Sequence, residues 1–111
     1  MSETTCATQP PIYSAFGVDP DLADLVDLYV EEMPERIASV QQLRDAKNWP
    51  DLGRLAHQIK GSAGSYGFDE ITPFAYRLEQ AAKDSEPPAE IEQAADELVE
   101  ICLRARTGAP Q

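Results

Sequence analysis

The sequence is poor in the residues that build metal sites and disulfide-stabilised folds. Its 111 residues include one histidine, His57, and two cysteines, Cys6 and Cys102. A zinc site requires several histidine and cysteine ligands at short spacings, and these three residues do not offer them. We therefore expect neither a metal nor a cofactor.

Long apolar segments are also missing. No stretch approaches the roughly 20 consecutive apolar residues that a membrane-spanning helix requires. The N-terminal residues MSETTCATQPP have neither the basic nor the apolar region of a secretory signal. We therefore expect a cytoplasmic protein without a membrane as partner.

Basic residues are outnumbered by acidic ones. The chain has 9 lysine and arginine residues against 20 aspartate and glutamate residues, which gives a net charge of −11. Nucleic acids and anionic membranes are themselves negative, so this charge disfavours both as partners. It favours solubility and a protein partner with a basic surface.

The apolar residues that are present recur at helical spacing. Asp19 and Pro20 form a typical helix start, and the apolar residues that follow keep a spacing near 3.6 as far as Leu43. Pro34 lies inside this segment, yet the apolar phase continues through it. We predict one long helix with a kink near Pro34, and two shorter helices as the alternative.

Three further amphipathic segments follow. The second begins at Asn48 and ends before Gly67, the third begins at Asp69, and the fourth contains the apolar residues from Ile91 to Cys102. No segment of comparable strength has the two-residue period of a strand. Four such helices with short loops predict an all-α fold: an antiparallel up-down-up-down four-helix bundle with a short N-terminal extension.

The predicted organisation is a single domain between two tails. We assign residues 1–18 to an N-terminal tail that is partly disordered or loosely packed on the body. Residues 19–106 form the bundle, and residues 107–111 form a C-terminal tail. We expect the protein to be a monomer.

The single histidine lies opposite the apolar stripe of the second predicted helix. Each helical residue advances about 100°, which places Leu52, Ile59 and Tyr66 between about 180° and 220° from His57. We therefore expect His57 to project into solvent and not into the core. Its position alone would suit an ordinary surface histidine.

Three glycines share the face of His57. Gly53, Gly61 and Gly64 lie within about 40° of it, and each costs a helix interior about 1 kcal/mol relative to alanine. A face without side chains lets a partner approach the imidazole closely, so we assign a docking role to these glycines and to the nearby Arg54. Close packing of another segment against this face is the alternative reason for them.

Cations flank the histidine, with Arg54 and Lys60 three residues away on either side. A neutral imidazole nitrogen is a nucleophile, and a neighbouring cation such as Lys60 stabilises the oxygens of a transferred phosphoryl group. Ser62 and Ser65 lie about 140° and 80° away from the direction of His57. No third residue is placed to orient the ring toward them, so we do not expect hydrolytic catalysis.

The stretch HQIKGSAGSYG, from His57 to Gly67, resembles the signature of histidine-containing phosphotransfer (HPt) domains. That signature has a histidine, a lysine three residues later, a glycine next, and a further glycine ten residues after the histidine. LYVEEMPERIASVQQL resembles the first long helix of these domains, and RLEQAAK resembles the segment that faces the phosphorylated helix. The resemblance covers about residues 20–105.

The resemblance implies a phosphorelay carrier with His57 as the phosphorylated residue. It would accept a phosphoryl group from an aspartate of one receiver domain and pass it to an aspartate of another. Lys60 matches the lysine that pairs with the phosphoryl group, Gly61 matches the small residue that admits the receiver, and Gly67 matches the glycine that closes the helix. The implied partners are receiver domains of response regulators or a hybrid sensor histidine kinase.

The same resemblance implies a carrier and not an enzyme, since the sequence has no glycine-rich nucleotide loop and no ATP-binding domain. Two alternatives stay open on the sequence. The first is a helical interaction module that binds a receiver or a kinase without carrying phosphate. The second is a structural four-helix domain in which the histidine is incidental.

Overall fold

The computed structural model describes residues 10–108. Within that range the chain is mostly helical, as predicted, with five helices and two very short strands. In chain order these are β1 (Ile12–Tyr13), α1 (Ala23–Glu31), α2 (Met33–Asp45), α3 (Trp49–Ser65), α4 (Thr72–Lys83), α5 (Pro88–Leu103) and β2 (Ala105–Arg106).

Helices α2 to α5 enclose the core. Helix α2 packs against α3 and α5, and α4 also packs against α3 and α5. Fully burying one aliphatic side chain stabilises the fold by about 1.5–3 kcal/mol, and each of the four helices contributes at least one. The pair α3 and α4 is the most extensive, and it brings two helix faces together beside the single histidine. The largest fully buried side chains on these helices are Val40, Leu52, Leu78, Ile91 and Leu98.

The long first helix is divided in two, so the alternative prediction is the correct one. Helix α1 ends at Glu31, Glu32 lies between the helices, and α2 begins at Met33. Pro34 has no N–H to donate and its ring clashes with the carbonyl four residues earlier. It therefore lies in the first turn of α2, where the backbone N–H would have no helical partner.

The start of the first helix also differs from the prediction. Asp19 does accept a hydrogen bond from the backbone N–H of Asp21, over 2.8 Å, but the regular helix begins only at Ala23. The aspartate side chain closes a local turn that precedes the helix. Within α1, Leu25 lies on the exposed side, although its spacing placed it in the apolar stripe.

Both predicted ends of α3 are confirmed. Asn48 caps the N-terminus by accepting a hydrogen bond from the N–H of Asp51. At the other end Gly67 adopts a left-handed backbone with φ of +84°. The N–H of Phe68 donates to the carbonyl of Ala63 over 2.8 Å, and the N–H of Gly67 donates to Gly64 over 3.2 Å, which is the pattern of a Schellman cap.

The all-α prediction misses one small element. β1 and β2 pair in parallel, with Ile12 opposite Ala105 and Tyr13 opposite Arg106. Two residues per strand are too few to give a two-residue period, so this pairing leaves no pattern in the sequence.

Residues 10–18, which the sequence analysis assigned to the N-terminal tail, lie against the helices. Ile12 is 5% exposed, the N–H of Ala15 donates to the carbonyl of Gly67, and the hydroxyl of Ser14 donates to the carbonyl of Tyr66. The rest of that predicted tail, residues 1–9 with Cys6, and residues 109–111 of the C-terminal tail lie outside the described residues.

Candidate functional site

His57 lies on the outer face of α3, as the helical rotation predicts. Its side chain is 66% exposed, whereas the opposite face of α3 is buried in the core. Cβ directions separated by about half a turn account for the difference. The buried residues of α3 are Leu52, Ala56, Ile59 and Ala63.

Glu79, on the facing helix α4, holds the histidine ring. Its Oε2 lies 2.8 Å from Nδ1 of His57, and its Oε1 lies 2.7 Å from Nζ of Lys60. One carboxylate therefore joins the histidine to the lysine one turn further along α3. Ring donation from Nδ1 to a carboxylate fixes the tautomer and the orientation of an imidazole.

The charge of Glu79 is stabilised by this arrangement. The side chain is only 17% exposed, and partial burial by itself disfavours a carboxylate. The hydrogen-bonding ammonium of Lys60 outweighs that effect and lowers the pKa of the Glu79 carboxyl below its usual value, with a further contribution from His57. Glu79 is thus a carboxylate at neutral pH and an acceptor for both partners.

Glu79 is not among the site residues predicted from the sequence. It lies in RLEQAAK, the segment whose resemblance predicts that it faces the phosphorylated helix, and it is the only acidic residue there. Which residue of α4 faces His57 depends on how far α4 is shifted along α3, and helical spacing does not determine that shift. An acidic residue in the facing segment was the one available signal.

Lys60 is predicted to stabilise a phosphoryl group, and the structure places it one turn from His57. Its side chain is 28% exposed, because Glu79 holds its ammonium and the ring of Tyr76 covers one side. The Nζ atom lies 5.4 Å from the centre of that ring. The stem of the lysine therefore packs on α4 while its charge stays at the surface.

The three glycines on the histidine face have different surroundings. A Cβ atom on Gly61 would meet no atom within 4 Å, and one on Gly64 would approach only the hydroxyl of Thr72, at 3.9 Å. A Cβ atom on Gly53 would lie 3.2 Å from the Cβ of Ala82 on α4. Gly61 and Gly64 thus leave the surface open, whereas Gly53 permits the close approach of α3 and α4. The docking role of all three stays a prediction.

Arg54 lies on the same exposed side of α3. It forms an ion pair with Asp51 on its own helix, and its side chain is 71% exposed. It faces the space between α3 and α4, together with His57 and Lys83. The structure thus brings Arg54 near the histidine without any direct contact between the two side chains.

Within residues 10–108, no group of three histidine, cysteine or acidic residues is arranged to hold a metal ion. None of the helices described is long and apolar enough to cross a membrane.

Comparison with known proteins identifies the family. A family model described as the Hpt domain matches residues 24–108. Searches of curated proteins and of solved structures gave no match. The matched range includes the exposed histidine, the lysine one turn later and the glutamate that joins them. On this match over most of its length, the chain belongs to the Hpt domain family.

Proposed function

We propose that the protein is a phosphorelay carrier in which His57 accepts a phosphoryl group from a receiver-domain aspartate and passes it to another receiver-domain aspartate. Membership of the Hpt domain family implies histidine phosphotransfer in phosphorelays, and proteins of this family are carriers and not kinases. Their partners are receiver domains of response regulators and sensor kinases. We propose in addition that His57 is the phosphorylated residue and that the site residues beside it take part in the transfer.

The observation that carries the proposal is the exposed imidazole whose Nδ1 is bound to Glu79. A proton held on Nδ1 leaves the lone pair on Nε2, which is the nitrogen free to act as nucleophile. No group in the described part of the chain hydrogen-bonds to that nitrogen. The hydrogen bond at Nδ1 thus orients the ring, and Nε2 is open to a phosphoryl donor.

Atoms and charge are conserved in the proposed transfer, and no proton leaves the site. Nε2 uses its lone pair to form the N–P bond, the P–O bond of the aspartyl phosphate breaks, and the donor aspartate leaves as a carboxylate. The ring keeps its proton on Nδ1 and gains positive charge, which the carboxylate of Glu79 stabilises. The return reaction reverses these steps when a second receiver presents an unphosphorylated aspartate.

The cation and the glycines have supporting roles in the proposal. Lys60 has a flexible stem, so its ammonium can turn from Glu79 toward the oxygens of a phosphoryl group on the neighbouring ring. Gly61 has no neighbour where a side chain would begin, and this supports its role as clearance for the receiver. Gly64 supports the same role from the next turn of the helix, and Arg54 contributes charge to the docking surface.

We also propose the arrangement of the helices, the oligomeric state and the cellular location of the protein. Helices α2 to α5 would form the antiparallel up-down-up-down four-helix bundle, within a domain of residues 19–106. The carrier would work as a cytoplasmic monomer with protein partners only. The net charge of −11 supports the exclusion of nucleic acid, because like charges repel.

Phosphorylation with and without His57 tests the proposal. The protein is treated with phosphoramidate, and separately with purified receiver domains loaded from acetyl phosphate. We expect one acid-labile, alkali-stable phosphoryl group from both donors, and none in His57→Gln at unchanged helical content. Labelling that survives His57→Gln would contradict the proposal. Binding to a receiver without any transfer would support the interaction module instead.

A further inference from the structure

A groove lies between α3 and α4, and His57 forms one end of it. It has a volume of about 530 Å³. Its floor is low because Gly53 has no side chain and Ala82 has only a methyl group opposite it. The indole of Trp49, at the first residue of α3, forms the other end. The groove is thus an apolar channel two helical turns long that leads to the histidine.

Cations lie along the edge of this groove. Arg54 and Lys83 line it from α3 and α4. The carboxylate of Glu79 also borders it, but that charge is balanced by Lys60, over 2.7 Å. Lys83 is exposed and forms no ion pair within residues 10–108. Arg54 is likewise balanced by Asp51 on its own helix, so among the described residues of this edge Lys83 carries the positive charge that has no acidic partner.

We propose that the groove is a specificity subsite that takes apolar side chains from the docking face of a receiver domain, with a carboxylate of the receiver beside them facing Lys83. This inference rests on the proposed function, since it assumes a receiver that docks at His57. It adds which part of the surface selects the receiver and what chemistry the receiver must present.

The groove adjoins His57, and this favours a receiver domain as its occupant. A protein that brings an aspartyl phosphate to Nε2 of His57 must cover the adjoining end of the groove, because the same ring lines both. Tryptophan and arginine are the residues that most often dominate binding energy at the centre of protein interfaces. Here an indole lies at one end of the groove and Arg54 lies on its edge.

The charged edge predicts the character of the receiver surface. Opposite charges across an interface mainly raise the association rate and exclude partners of the wrong charge. A receiver with a carboxylate beside an apolar patch supplies the partner that Lys83 does not have among residues 10–108. A receiver with a basic surface at this position would be rejected.

Two variants test the subsite, one by shape and one by charge. Ala82→Leu fills the groove, and Lys83→Glu reverses the charge at its edge. Each has a matched control away from the groove: Ala89→Leu on the exposed first turn of α5, and Arg106→Glu on β2. The donors are phosphoramidate, which has no docking face, and a purified receiver domain that transfers to the unsubstituted protein.

We expect each groove variant to lower kcat/KM for transfer from the receiver by about tenfold, which corresponds to the loss of one interface contact. Phosphorylation by phosphoramidate should stay unchanged, because His57 and Glu79 are untouched. Lys83→Glu should also weaken the salt dependence of the transfer, since screening then has less attraction to remove. Both controls should behave like the unsubstituted protein.

Three results would overturn the inference, and they are distinct from failure of the proposed function. Transfer at the unsubstituted rate in both groove variants would show that the receiver does not use the groove. An equal loss with phosphoramidate would place the effect at His57 itself. A change of molecular mass in light scattering would assign the groove to a second copy of the chain. By contrast, no transfer from any receiver to the unsubstituted protein would contradict the proposed function.

Discussion

Glu79 on α4 and His57 on α3 are joined by a hydrogen bond of 2.8 Å between a carboxylate oxygen and the ring nitrogen Nδ1. The two residues belong to the helices that pack most extensively in the protein. The orientation of the exposed ring therefore depends on how α3 and α4 pack against each other.

The first prediction is that Glu79 determines which ring nitrogen is protonated. Glu79→Gln keeps an oxygen acceptor but loses the charge, and hydrogen bonds to charged groups are about 1 kcal/mol stronger than neutral ones. We expect transfer from a receiver to slow by about fivefold, the rate equivalent of that energy. Nitrogen NMR should show a single Nδ1-protonated tautomer in the unsubstituted protein and a mixture of tautomers in Glu79→Ala.

Glu100→Gln is the matched control for this prediction, because it removes the same charge from α5, away from the ring. It should leave both the transfer rate and the tautomer unchanged. A Glu79→Ala protein that keeps the Nδ1-protonated ring would show that the hydrogen bond does not set the tautomer.

The second prediction is that substitutions of Gly61 raise the stability of the protein but slow transfer when the new side chain is long. A Cβ atom at this position meets nothing within 4 Å, so Gly61→Ala should raise the free energy of unfolding by about 0.5–1 kcal/mol through helix propensity alone. Gly61→Gln places a long side chain beside His57 and should slow transfer from a receiver by about 100-fold, as expected when reacting groups are displaced by about 1 Å.

Urea denaturation and transfer kinetics measure these two effects separately. Phosphoramidate serves as the control donor, because its small size lets it reach His57 past the added side chain. Transfer from a receiver at the unsubstituted rate in Gly61→Gln would refute the docking role assigned to this glycine.

The third prediction is that Gly67→Ala destabilises the protein. Gly67 has φ of +84°, and a non-glycine residue in that region costs about 1–3 kcal/mol. A Cβ atom there would also lie 2.5 Å from the hydroxyl oxygen of Ser14 and 2.8 Å from the ring of Phe16. We expect a loss of at least about 1 kcal/mol in urea denaturation, with faster amide exchange at Ala15. An unchanged free energy of unfolding would show that neither these contacts nor the positive φ disfavours a side chain at this position.

The fourth prediction concerns Cys102, whose burial raises the pKa of its thiol from the ordinary value of 9.0 to about 12. In the unfolded chain the thiol ionises near its ordinary pKa, whereas in the folded protein it stays neutral up to about 12. The contribution to stability is therefore complete below about pH 9 and is lost as the pH rises toward about 12.

The measurement compares Cys6→Ser with Cys6→Ser/Cys102→Ala in urea at a series of pH values. The stability advantage of the protein that keeps Cys102 should shrink above about pH 9. A difference that stays constant up to pH 11 would be inconsistent with a buried neutral thiol. Slow reaction of Cys102 with iodoacetamide in the folded state is the corresponding chemical readout.

The features that were predictable from the sequence depend on one helix at a time. The outward direction of His57 follows from 100° per residue. The cap at Asn48 and the left-handed turn at Gly67 follow from what their side chains allow. Each needs only local geometry, and the structure confirms all three.

The features that were not predictable depend on how helices pack together. Glu79 meets His57 because of the relative shift of α3 and α4, which no helical period encodes. Gly53 and Gly61 look equivalent on one helix, and only the position of α4 shows that Ala82 lies against the first while nothing lies against the second. Pro34 correctly predicted a disturbance of the first helix. The apolar residues keep their helical spacing through it, however, and this spacing favoured a kink over the break between α1 and α2.

The parallel pairing of β1 with β2 has a consequence for how the domain can be attached to other sequences. It places Ile12 beside Ala105, so the first and last described segments of the chain lie next to each other. Such a unit tolerates insertion into a surface loop of another protein, or a new start point once the old ends are linked. In either arrangement His57 would keep its exposed position, because no helix of the α3–α4 pair has to move.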